Sequence, residues 1–132
     1  MDRYHLRQDF GSDNALGLLA FMFPNQFAVY LHDTPAKTLF DLPRRTFSHG
    51  CIRVAKAMDL AVYLLGGPDK GWGPEQITQA IGEGKNRIVH LERPVPIYIM
   101  YNTAVADPET HELFFFEDVY GRDVLLEKAL FD

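Results

Sequence analysis

Between Val54 and Leu65 the chain carries its clearest folding instruction. Met58, Ala61, Val62 and Leu65 fall at i, i+3, i+4 and i+7, a spacing that lines one face of an α-helix. Gly66-Gly67-Pro68 then stops it, because glycine accepts the left-handed cap and proline cannot continue a helix. A second, shorter helix is predicted from Pro74 to Ile81, with Pro74 in its first turn and Ile77, Ala80 and Ile81 on one side.

The remaining apolar segments are short and bounded by turn residues. Residues 1–17 read as irregular. Leu18 to Phe23 is an apolar run closed by Pro24-Asn25, which suits a buried strand. Phe27 to His32 alternates, with Phe27, Val29 and Leu31 on one face and Ala28, Tyr30 and His32 on the other. Asp33-Thr34-Pro35 ends that strand, and residues 33–50 read as a long loop, the kind that is usually functional or mobile. Candidate strands at Arg87–Leu91 and Ile97–Tyr101 flank Pro94-Val95-Pro96, and a hairpin is expected around Asp107-Pro108-Glu109-Thr110. Val124 to Leu130 reads as a terminal helix or a loosely docked tail. The expected class is mixed α/β, dominated by strands, with one good helix packed on them and a single domain over residues 1–132.

Bulk properties narrow the function. With 47% hydrophobic and 23% charged residues, the chain is an ordinary globular protein. A net charge of −5 and the lack of a long basic run argue against nucleic acid as the main partner, since phosphate binding needs concentrated positive charge. No segment is long and apolar enough to span a membrane. The first twenty residues hold no signal-peptide pattern, so a role outside the cytoplasm would require targeting information beyond this sequence.

The single cysteine, Cys51, cannot form an internal disulfide. It is either a small buried hydrophobe or a reactive thiol. Its setting, Ser48-His49-Gly50-Cys51-Ile52-Arg53, suits thiol acyl transfer. That chemistry needs a thiolate, a base, donors for the oxyanion and room for substrate to approach. Gly50 leaves the room, amides near Gly50 and Cys51 can converge on one spot, and His49 and Arg53 bring positive charge. The base is expected to be a histidine delivered by the fold. His32 qualifies, because it ends the strand carrying Tyr30 before the chain returns to Cys51. His49 is the weaker choice, since adjacent side chains often diverge.

His32, fifteen intervening residues, and then Ser48-His49-Gly50-Cys51-Ile52-Arg53 resemble the signature of the L,D-transpeptidases with a YkuD-type catalytic domain. Tyr30-Leu31-His32-Asp33-Thr34-Pro35, Phe47-Ser48 and Val119-Tyr120-Gly121-Arg122-Asp123 further resemble the large periplasmic subgroup related to YcbB. The resemblance covers roughly residues 10–126. It implies a YkuD-like β-sandwich with one amphipathic helix after Cys51. It implies Cys51 as nucleophile and His32 as general base, with His49 shaping the site. Gly50 and Cys51 would be oxyanion donors assisted by Tyr30, Ser48 a supporting residue, and Arg53 an anchor or substrate contact. The implied substrate is the peptidoglycan stem peptide, crosslinked between diaminopimelate residues through a cysteine thioester. Carbapenem β-lactams would be inhibitors, the place of action would be the periplasm or cell envelope of a bacterium, and no metal or organic cofactor is implied. Fewer strands precede residue 18 than the family pattern carries, so the chain is expected to be a C-terminal part of a catalytic domain.

Other readings stand beside this one. Taken alone, Cys51 is more often an inert thiol, His32 a structural histidine, Tyr30 a packing aromatic and Arg53 an ion-pair partner. A zinc site from His32, His49 and Cys51 lacks a fourth ligand at metal-like spacing. An L,D-carboxypeptidase shares the first half-reaction, with water replacing the amine. A non-catalytic or partner-dependent envelope module is the reading from another class.

Overall fold

A computed structural model describes Gly11 and residues 13–131. It divides into two compact units, Met1–Pro94 and Val95–Asp132.

The first unit begins with β1 (Ala20–Phe21) and β2 (Leu31–His32), followed by a 3-10 turn over Lys37–Asp41 and then β3 (Ile52–Arg53). The strands form one sheet in the order β1-β2-β3. β1 and β2 pair antiparallel, with Ala20 opposite His32. β2 and β3 pair parallel, with Leu31 opposite Ile52 and His32 opposite Arg53. Parallel neighbours need a long crossover, and the segment read as the 33–50 loop supplies it.

The alternating strand starts later than its pattern predicts. Asn25 folds the chain back on itself: its Nδ2 donates to the carbonyls of Phe23 at 3.0 Å and Val29 at 2.7 Å. Its Oδ1 accepts from the amides of Phe27 at 3.0 Å and Val29 at 3.2 Å. Ala28 sits at φ +53°, which no strand tolerates. Side-chain capture by asparagine therefore overrides the alternation up to Ala28. The run Leu18–Phe23 is less buried than expected, with Met22 73% exposed.

The helices follow the sequence closely. α1 spans Ala57–Leu65 and starts at Lys56 without a side-chain cap. It ends where Gly66 turns left-handed at φ +86°. The Gly67 amide then reaches the Val62 carbonyl at 2.9 Å and the Gly66 amide the Tyr63 carbonyl at 3.4 Å, the paired bonds of a Schellman cap. A second 3-10 turn over Pro68–Lys70 leads to α2, Pro74–Gly82, with Pro74 opening its first turn. Ala57 and Ala61 of α1 and Ile77 of α2 are buried, and the two helices pack against each other.

The second unit contains β4 (Ala104–Ala106) paired antiparallel with β5 (Leu113–Phe115), then α3 (Asp123–Phe131). Asp107 Oδ1 accepts from the amides of Glu109 at 2.8 Å and Thr110 at 2.7 Å, which closes the predicted hairpin turn. The terminal segment is thus helical.

Strands do not dominate. Among the described residues, three helices of nine residues stand against five strands of two or three. The expected strands at 87–91 and 97–101 carry no ladder among the described residues. Pro94 and Pro96 between them lack the amide a ladder requires.

Candidate active site

Parallel pairing of β2 with β3 assembles the predicted residues. The Ile52 amide donates to the Tyr30 carbonyl at 3.0 Å and the Val54 amide to the His32 carbonyl at 2.8 Å. Residues directly paired in a parallel ladder share a face, and so do residues two apart on one strand. His32 and Arg53 are paired, and Tyr30 and Cys51, each two residues earlier, stand just before β2 and β3, where the same alternation puts them toward that face. The alternation read from the sequence supplied one half of this arrangement. The strand register supplied the other.

The Tyr30 hydroxyl and the Cys51 thiol are neighbours. Burial first, and then the neighbouring Cys51, push the Tyr30 phenol above its ordinary range. The hydroxyl therefore keeps its proton and remains a donor toward the thiol. The Tyr30 and His32 rings lie 5.9 Å apart, tilted by 59°. His32 is 5% exposed, and its Nδ1 lies 2.5 Å from the Asp33 carbonyl. A carbonyl only accepts, so Nδ1 carries the hydrogen. In the neutral ring Nε2 is then the unprotonated nitrogen, the form a general base requires.

The loop before Cys51 is exposed at Ser48, His49 and Gly50, and Cys51 itself is half-buried. Ser48 Oγ accepts the Gly50 amide at 3.2 Å. That bond engages one of the two amides expected to face an oxyanion, and Ser48 must yield it before Gly50 can donate elsewhere. Gly50 adopts φ +143°, which L side chains rarely take, and a Cβ there would stand a tight 3.1 Å from Val29 Cγ1, so backbone and space both favour glycine. His49 is exposed and makes none of the contacts that join Tyr30, His32 and Cys51. Arg53 is half-buried, and its Nε is fully covered without a hydrogen-bond partner among the described residues. An unsatisfied buried donor costs about 1–3 kcal/mol.

Two residues at the site escaped the sequence reading of roles. Lys37 Nζ meets Asp33 Oδ1 at 2.5 Å, the Ala55 carbonyl at 2.9 Å and the Val54 carbonyl at 3.3 Å. The opposite charges at i and i+4 were the available signal. Burial pushes Asp33 up, but hydrogen bonds from Lys37 and from the amides of Leu18 and Thr34 outweigh it and hold the carboxyl below its usual range.

Two surface depressions lie in this unit, about 280 Å³ beside Trp72 and Arg87 and about 270 Å³ beside Asp33 and Met58. Neither is lined by Cys51 or His32. Among the described residues, no three His, Cys, Asp or Glu side chains cluster as metal ligands, and no helix is long and apolar enough to cross a membrane.

The family model of the YkuD L,D-transpeptidase catalytic domain matches residues 1–97, which contain all the residues brought together on the sheet. The chain belongs to this family. A curated relative from Haemophilus influenzae, whose name assigns it provisionally to the L,D-transpeptidases, is 35% identical over 120 residues. The alignment covers 91% of this chain and 24% of the relative, so the chain spans about a quarter of that protein's length. The YkuD match ends before the hairpin and α3, whereas the likeness to the relative extends over most of the chain.

Proposed function

We propose that this YkuD domain is a peptidoglycan L,D-transpeptidase acting through a thioester on Cys51. The observation that carries the reading is that Tyr30 lies beside both the His32 ring and Cys51, with the His32 tautomer set by the Asp33 carbonyl. In this mechanism His32 Nε2 takes the Cys51 proton. The thiolate attacks the carbonyl on the L-centre of diaminopimelate in a tetrapeptide stem. The Cys51 amide and the Tyr30 hydroxyl stabilise the oxyanion, with the Gly50 amide joining if Ser48 releases it. The carbonyl–nitrogen bond breaks, His32 returns its proton to the departing D-alanine amine, and a thioester remains. The side-chain amine of a second diaminopimelate attacks that thioester. Its proton passes through His32 to the leaving Cys51 sulfur, and a crosslinked dimer is released. Arg53, whose Nε has no partner among the described residues, anchors the site or meets substrate in this reading, and exposed His49 shapes its border.

Residues 1–132 act in this reading as one catalytic domain, or as the C-terminal part of one built as a larger β-sandwich, of the YcbB-related kind. The place of action is the bacterial periplasm or envelope, and carbapenems acylate Cys51. Incubation with tetrapeptide stems and product analysis tests the reading. Crosslinked dimer supports transfer, tripeptide alone means water is the acceptor, and unchanged stems with a folded chain overturn both.

A further inference from the structure

The ladder that brings His32 to Cys51 is very short: β2 and β3 are two residues each. Its far end is held by more than strand pairing. Asp33 directly follows His32, while Val54 and Ala55 lie three and four residues past Cys51. Lys37 reaches all three. An ammonium has three N–H donors, and the three acceptors use them all, which leaves Lys37 none for a substrate. Asp33 is tied in turn to the leading edge of the sheet. Its Oδ2 accepts the Leu18 amide at 3.2 Å, and its own amide donates to the Leu19 carbonyl at 2.8 Å.

We propose that Lys37, oriented by Asp33, is a positioning residue that fixes the strand bearing His32 against the strand that directly follows Cys51. This rests on the acyl-transfer reading of those two residues. A shift of about 1 Å between reacting groups can cost about 100-fold in rate, so the fastening acts on chemistry as well as on stability.

The test is alkylation of Cys51 by iodoacetamide, followed by mass from about pH 5 to about pH 9. The variants are Lys37→Met, Asp33→Asn and Lys37→Arg, with Ala61→Gly as a control for a stability loss of about 1 kcal/mol elsewhere in the unit. Lys37→Met is expected to slow alkylation about 10-fold or more and to change the shape of the pH–rate profile, because the segments that carry His32 and Cys51 are no longer held in register. Lys37→Arg, which keeps charge and donors, recovers part of the loss, and Ala61→Gly leaves the profile's shape unchanged. If Lys37→Met does not fold, Asp33→Asn decides by the same comparison. A folded Lys37→Met or Asp33→Asn chain with the unaltered profile overturns the proposal. An unaltered chain whose thiol reacts no faster than in denaturant is a separate result: it overturns the acyl-transfer reading, and this inference with it.

Discussion

The two units hold their chains together in different ways. Residues 1–94 bury Ala57, Ala61 and Ile77 between two helices and bury His32 and Thr34 beside the sheet. In residues 95–131 no described side chain is buried. There the ties are polar: Tyr101 donates to Asp118 Oδ1 at 2.6 Å, and Thr103 donates to Asp123 Oδ1 at 2.8 Å. The Asp123 amide closes onto Asp118 Oδ2 at 2.7 Å, while Phe115 remains 76% exposed. The candidate site belongs entirely to the unit with a core, and its geometry depends on backbone register. The lesson is that substitutions in the first unit should reach the chemistry, whereas those in the second should alter local order alone.

The sharpest way to break this contrast is His32→Ala set against Phe115→Ala. Loss of the base lowers Cys51 acylation by about 100- to 10,000-fold in single-turnover assays, while Phe115→Ala leaves the rate near its starting value. Next in size, Ile77→Ala costs about 2–4 kcal/mol in thermal or denaturant unfolding, and Phe115→Ala costs less than about 0.5 kcal/mol. Equal losses would dissolve the distinction. Gly50→Ala comes third. Its left-handed φ and the nearby Val29 methyl should reduce acylation about 10- to 100-fold with secondary structure retained by circular dichroism.

The smallest effect concerns acid. Hydrogen bonds from Tyr101 and the Asp123 amide hold Asp118 down at about 2. An acid depressed on folding stabilises above its unfolded value of about 4, and that contribution is lost as pH falls through the folded value. The start of α3 should therefore loosen between about pH 4 and about pH 2, modestly because Asp118 is exposed to solvent screening. Asp118→Asn should remove this pH dependence from the helical circular dichroism signal.

Much of this organisation was legible in the residues. Met58, Ala61, Val62 and Leu65, stopped by Gly66-Gly67, specify α1 through local periodicity and a local cap. Asp107 specifies the hairpin turn in the same way. Tyr30 and His32 could be put on one face by alternation, but their meeting with Cys51 depends on pairing across a long crossover, which no local pattern encodes. Asn25 capture and the prolines at 94 and 96 removed strand where apolar runs suggested it. Lys37 left only its charge four residues after Asp33 as a trace, because its other partners are backbone carbonyls, which residue type does not reveal.

The most direct test of the central claim is the intact mass of the folded chain, trapped in acid after brief exposure to a tetrapeptide stem. The account predicts an added mass equal to the stem less D-alanine, mapped to Cys51, present in the unaltered chain and absent in Cys51→Ala. A folded chain that releases no D-alanine and carries no adduct on Cys51 would contradict it.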